Sequence, residues 1–392
     1  MILHQMLNKK SIFLYLLGFY FISLVLGALN IGMFGSLLRL VALLPVLWWF
    51  IFSHRITFNR VILCATLFLG FSFISWAWSI AGEFSFLSNI TPLLLLLLLY
   101  AVSGYKYSDK ELAFLRKSLV WASRFTVLIL LLLHGQLDTR LTLSEGTLQE
   151  DPNYLCSYFL FGIVYAVEQI LTDKKSRRGW YLLELGIYLI TIFATGSRGG
   201  LFAIIVAILV AALGQFFQNK ISVKTVLLPL VLLGGIFVAI TVLPYFLPKE
   251  VWDRFSAQSI IESQGTGRYR IWKDYLYIFS DSTLSRQLFG YGYGVLPLLA
   301  QSRRLLTFHV AHNIFIEYLI SFGVVGLSYY LLYLWQFIRV TWRRQEIFSL
   351  AVLCGMIALT LSTSYNGKAY WNILIYLVCL SKWVSTRPEE KL

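Results

Sequence analysis

The sequence predicts an all-α, polytopic membrane protein of about 12 transmembrane helices, with one large external loop between spans nine and ten. Three observations predict it. Of 392 residues, 58% are hydrophobic and 13% charged, with mean hydropathy +0.72, whereas a soluble domain carries about 25% charged residues. Apolar runs long enough to cross a hydrocarbon core, about 20 residues each, recur so evenly that no segment is left over for a soluble core. The basic residues alternate with those runs, so that every second loop is positive.

Taken in order, the predicted spans are roughly 11–32, 35–52, 61–79, 89–103, 116–134, 153–171, 179–195, 198–216, 225–247, 310–336, 347–363 and 369–385. The first lacks a small-residue cleavage site and is long enough to span, so it reads as a helix rather than a cleavable signal peptide. With the N-terminus inside, 20 basic residues fall on cytoplasmic segments and 11 on external ones, and 8 of those 11 lie in a single long loop. The short external loops 30–35 and 80–88 carry none. Both termini are therefore expected in the cytoplasm. The chain divides into spans one to nine (1–247), an external loop with short helices (248–309), and spans ten to twelve with a cytoplasmic tail (310–392). A second external segment, 135–152, is shorter and acidic.

The net charge of +14 follows from the cytoplasmic excess of Lys and Arg. The basic residues are spread over many short loops, which speaks against nucleic acid as a partner. Cys64, Cys156, Cys354 and Cys379 all sit in apolar runs without metal spacing and read as small core residues.

Arg198 is the least expected residue, in the turn Thr195-Gly196-Ser197-Arg198-Gly199-Gly200 between spans seven and eight. An arginine there opposes the orientation bias and is costly near the membrane core. Either it snorkels to lipid headgroups, or it clamps an anion. In the second reading the glycines admit backbone N–H groups, the next helix offers its N-terminus, and the guanidinium binds oxygens in pairs. Arg268 and Arg270 repeat the pattern after Gly267, and a helix carrying Trp272 follows. Basic residues in an exposed loop are common, but two glycine–arginine turns on one face fit a shared phosphate site. His312 opens the tenth span, with Asn313 beside it and Glu317 about 140° further round the helix. It can cap first-turn N–H groups or act as a base near neutral pH. His309 is a possible substitute. Asp151 precedes Pro152 at the start of span six, where capping accounts for it. Arg39 and Arg124, inside spans two and five, pair within the bundle or snorkel. No P-loop, zinc spacing or Asp-x-Asp pair occurs. A bound phosphate would be neutralised by arginine, with no metal and no cofactor.

Together these motifs resemble the O-antigen ligase and O-antigen polymerase superfamily of bacterial envelope glycosyltransferases. The resemblance is carried by Ser197-Arg198-Gly199 at a span junction and by Gly267-Arg268 with Trp272 in a late external loop. Gly290-Tyr291-Gly292-Tyr293-Gly294, His312-Asn313, Gly323 and Gly326 complete it. It implies a helical bundle of the membrane glycosyltransferase C type in the bacterial inner membrane. The implied reaction is transfer of a glycan from undecaprenyl pyrophosphate to a glycan or lipid-linked acceptor, at the external face. Arg198, Arg268 and Arg270 would hold the pyrophosphate and His312 would act as general base. Ser197, Gly199, Gly267, Trp272, Asn313, Glu317 and Asp151 would support them. Membrane lipids and a chain-length regulator are the implied partners.

Asp151-Pro152-Asn153-Tyr154 and the spacing of Arg254 to Gly265 resemble polysaccharide polymerases of the capsule and exopolysaccharide kind. They favour a polymerase over a ligase that attaches glycan to lipid A–core. Two other classes remain. A transporter of lipid-linked sugar would also place arginines near a pyrophosphate, but needs no general base, and neither a repeat nor a midplane charge cluster is present. A membrane scaffold would tolerate loss of Arg198 and Arg268.

Overall fold

A computed structural model of the chain describes residues 2–31, 36–81, 83–133, 141–142, 150–172, 177–218, 234, 241–242, 245, 248–255, 268–302, 310–364 and 367–384. Gly265, Gly267, His309 and most of the predicted ninth span lie outside the described residues.

The described chain is helical, with isolated bridges and no strand. The helices are α1 (Ile2–Ile22), α2 (Leu37–Phe52), α3 (Arg60–Ile74), α4 (Glu83–Ser103), α5 (Asp109–Leu133), α6 (Pro152–Thr172), α7 (Arg178–Thr195) and α8 (Arg198–Gln218). After them come four short ones: α9 (Lys249–Asp253), α10 (Arg268–Ser280), α11 (Leu284–Phe289) and α12 (Leu296–Ser302). Then follow α13 (Ile314–Arg344), α14 (Ile347–Thr360) and α15 (Lys368–Ser381). Each predicted span except the ninth coincides with one of these helices. Among the described residues, five helical stretches are long and apolar enough to cross a membrane, and four shorter helices are also apolar.

Polar residues displace some boundaries. Helix α4 begins at Glu83, six residues before the predicted 89, and takes Pro92 into its interior. Helix α5 begins at Asp109 rather than 116, because Asp109 and Glu111 suit the positive end of a first turn. Hydropathy marks the apolar length, whereas helices run on into capped polar turns. The caps are visible: Ser36 accepts from Leu38 N–H at 3.2 Å and Asn59 from Ile62 N–H at 2.9 Å.

Helix packing relies on small residues, since apolar burial gives little drive between helices in lipid. A Cβ on Gly355 of α14 would lie 2.9 Å from Cβ of Ala207 and 3.0 Å from the Ala203 carbonyl, so α8 and α14 approach closely. Arg124 is bound within the bundle, giving two hydrogen bonds to Glu184 at 2.9 and 3.0 Å.

The short helices after residue 248 are fastened to the bundle. Ile271, Tyr275 and Ile278 of α10 pack with Val295, Leu296 and Leu299 against Ala311 and Ile320. Helix α11 meets α13 where Gly323 (φ 66°) breaks its helical path, and a Cβ there would lie 2.3 Å from the Leu288 carbonyl. The Tyr291-Gly292 backbone donates to the carbonyls of Ile320 and Ser321 at 3.0 and 2.8 Å. These contacts fix the segment on the face where α6, α8, α13 and α15 begin.

Candidate active site

The turn between α7 and α8 builds the first wall. Gly196 (φ 62°) takes the left-handed conformation that closes α7. Ser197 then caps α8, its Oγ accepting the Gly200 N–H at 2.9 Å. The same hydroxyl donates to Asn153 Oδ1 at 2.6 Å. Asn153 gives both its backbone N–H and its Nδ2 to Asp151 Oδ1, each at 2.8 Å. The N-termini of α6 and α8 are thereby locked together. Asp151 caps α6, as expected, and remains exposed.

Gly199 also has a packing role. A Cβ on it would lie 2.1 Å from Ser362 Oγ. Its missing side chain seats α8 against the end of α14.

Arg198 and Arg254 brace each other. Arg198 Nε–H donates to the Arg254 carbonyl, and Arg254 Nε–H donates to the Gly196 carbonyl at 3.0 Å. Arg254 ends α9, so this pair ties that helix to the α7–α8 turn. Arg268 opens α10 nearby. Burial lowers its pKa; Asp151 opposes the shift, and the charges of Arg254 and Arg198 add to it. Even so, a guanidinium keeps its proton at neutral pH.

His312 completes the cluster. Its φ of 49° is left-handed, a conformation that non-glycine residues adopt at a cost. Burial lowers the imidazole pKa from 6.5, the Arg268 charge lowers it further, and Asp151 pulls it back up. The ring is therefore neutral at pH 7 and able to accept a proton. It does not cap α13. Asn313 does, its Oδ1 accepting from Phe315 and Ile316 N–H at 3.0 and 3.3 Å. Trp272 Nε1–H donates to the Ala311 carbonyl at 2.9 Å, joining α10 to the loop that carries His312.

The remaining predicted residues separate from this group. Arg270 is exposed, about 200° round α10 from Arg268. Glu317 is fully buried and accepts a hydrogen bond from Ser364 Oγ, and Ser364 N–H donates to Tyr154 Oη at 2.8 Å. It binds α13 to the α14–α15 turn and to α6. Two members of the cluster had no contact signal in the sequence. Arg254 stands out there only by its spacing to Gly265, and Asn153 reads as an ordinary first-turn residue.

Residues 185–331 match the family model described as O-antigen ligase, Wzy_C. That stretch holds Arg198, Arg254, Arg268, Trp272 and His312. No curated protein matches the chain. Among solved structures, it is similar to a chain from one described as the structural coordination of polymerization and crosslinking by a peptidoglycan synthase complex. Identity is 16%, with 82% of this chain and 97% of the other covered, at a TM-score of 0.46. A likeness of that size carries no argument about function. Over that stretch the chain is similar to O-antigen ligases, and its apolar helices mark it as a multi-pass membrane protein.

Proposed function

We propose that the protein transfers a glycan from undecaprenyl pyrophosphate to a sugar hydroxyl at the external face of the bacterial inner membrane, polymerising polysaccharide repeat units. The observation that supports this reading is the meeting of three arginines from separate segments with a neutral histidine and one carboxylate. Arg198, Arg254 and Arg268 supply the charge that a diphosphate requires, without a divalent cation. The α8 N-terminus adds its positive end.

In this mechanism the acceptor oxygen attacks the anomeric carbon from the face opposite the pyrophosphate. The bond from that carbon to the phosphate oxygen breaks, and its electron pair leaves with the diphosphate. The hydroxyl proton passes to the His312 imidazole, and the anomeric configuration inverts. The arginines stabilise charge that grows as the bond breaks, which is where electrostatic preorganisation has most effect. Asp151 and Arg268 act on the imidazole in opposite directions and hold its proton affinity between them.

A ligase would use the same residues, and the matched family model is described as a ligase. The polymerase reading rests on the Asp151–Tyr154 segment, whose Asp151 and Asn153 are joined to the Ser197 turn. Purified protein given a lipid-linked repeat unit and no other acceptor distinguishes them. Chain growth supports the polymerase. Transfer only after addition of lipid A–core supports the ligase, and an unchanged donor under both conditions contradicts both.

A further inference from the structure

At the end of the bundle remote from His312, the start of α3, the last turns of α13 and the last residue of α15 enclose an open groove of about 380 Å³. The helical run of α13 from Gly323 to Arg343 is roughly 30 Å long at about 1.5 Å per residue, the depth of a hydrocarbon core. The groove therefore meets the opposite leaflet from the arginine–histidine cluster. Arg60, Arg339 and Arg343 line it, and no carboxylate does. Among the described residues none of the three forms an ion pair. The neighbouring cations are turned elsewhere: Arg344 stacks on Trp383, 4.8 Å from the ring centre, and Lys382 Nζ donates to the Thr57 carbonyl at 2.7 Å. Asn59 is engaged too, capping α3 through Ile62 N–H and donating from Nδ2 to Ser381 Oγ at 3.0 Å.

Helix stability does not account for this arrangement. A cation in the last turn suits the negative end of α13, which explains Arg343. Arg60, however, begins α3, where the helix end is itself positive and a cation is unfavourable. Guanidinium groups keep their charge at neutral pH, so three in one groove also repel one another. An anion held between them offsets both effects.

The residues beyond the groove indicate what the anion is attached to. On α3, Leu63 and Leu67 follow Arg60 by three and seven positions, on one stripe, and both are exposed. On α13, Leu332 and Trp335 precede Arg339 by seven and four positions, again on one stripe and exposed. The two helices pack together, so each wall carries charge at its end and an apolar track behind it. A free phosphate would leave that track unused, whereas a lipid fills head and track at once. Three positive charges also suit two phosphates better than one, as in other basic pockets between membrane helices.

We propose that this groove binds an anionic phospholipid carrying two phosphates, its head among Arg60, Arg339 and Arg343 and its chains along Leu63, Leu67, Leu332 and Trp335. The site is independent of the reaction at the other end of α13.

The test is lipid binding. Purified protein in neutral detergent is titrated separately with cardiolipin, phosphatidylglycerol and phosphatidylcholine, and bound lipid is counted by native mass spectrometry. Cardiolipin binds tightest and phosphatidylcholine weakest, and the order survives Arg198→Ala combined with Arg268→Ala. Arg60→Gln, Arg339→Gln and Arg343→Gln each weaken cardiolipin about 5-fold, and the triple variant roughly 100-fold, the effect of basic residues at an anionic lipid surface. Gln336→Trp, which fills the groove without removing charge, blocks the same site and guards against misfolding of the arginine variants. Unchanged cardiolipin binding in the triple variant and in Gln336→Trp, both shown folded by thermal unfolding, overturns the proposal. Equal binding of phosphatidylcholine overturns it as well, and so does displacement of cardiolipin by inorganic phosphate, which would mark a site for a soluble anion.

Discussion

The indole N–H of Trp272 donates to the Ala311 carbonyl at 2.9 Å, and this bond ties the helix that begins with Arg268 to the loop that ends with His312. Arg268 in turn lowers the proton affinity of His312, so the two are coupled by charge as well as by backbone. The cluster behaves as one unit, and its parts give separable expectations.

Arg198→Ala and Arg268→Ala should each raise the lipid-linked donor needed for half-maximal rate by roughly 10- to 100-fold, the effect of losing about 1.5–3 kcal/mol from a charged hydrogen bond. Lysine at either position should recover only part of the loss, because an ammonium cannot grip two oxygens in a plane. Donor titrations of purified variants measure this. An unchanged donor requirement in both alanine variants would remove the clamp from the account.

His312 is left-handed, so glycine fits its backbone without strain. His312→Gly should change stability little, as relief of strain offsets the added freedom of the unfolded chain. Turnover should fall by roughly 10²- to 10⁴-fold, the usual contribution of a general base. Thermal unfolding and initial rates, measured on one preparation, separate the two effects. A histidine that served only structure would show the reverse.

The pH profile follows from the same charges. His312 must be unprotonated to accept a proton, and its pKa lies below the ordinary 6.5. The acid limb of the rate should therefore lie below that value. Arg268→Gln removes a charge that disfavours imidazolium, so the limb of the residual activity should move to higher pH. Asp151→Asn removes the charge that favours it, so the limb should move to lower pH. Shifts in the same direction for both variants would show that His312 is not the titrating group.

Gly199 seats α8 against Ser362, and the pair predicts a non-additive double mutant. Gly199→Ala should destabilise by about 1–3 kcal/mol through overpacking. Ser362→Gly in the same chain should restore most of it, with the coupling read from a double-mutant cycle in detergent. Additive effects would mean that the α8 seat does not depend on this contact.

The helices were legible because composition and alternating charge act locally, and every predicted span on described residues has its helix. Arg198, Arg268 and His312 were legible as residues out of place: cations and a histidine where the bilayer disfavours them. Contacts between distant segments were not. Nothing in the local sequence says that Arg254 reaches the Gly196 carbonyl, that Asn313 rather than His312 caps α13, or that Glu317 turns inward to Ser364. A glycine in a turn suggests anion approach, and nothing local shows that Gly199 also packs against a side chain 163 positions on. Proximity in sequence pairs Arg270 with Arg268, whereas residues two apart on a helix face nearly opposite ways.

The most direct test is a single-turnover assay in excess chelator, with purified protein, a defined undecaprenyl-pyrophosphate glycan and its acceptor, and the product's anomeric configuration read by NMR. The account predicts an inverted linkage from the wild type and almost none from folded His312→Ala. Equal product from the two proteins, or retention of configuration, would contradict it.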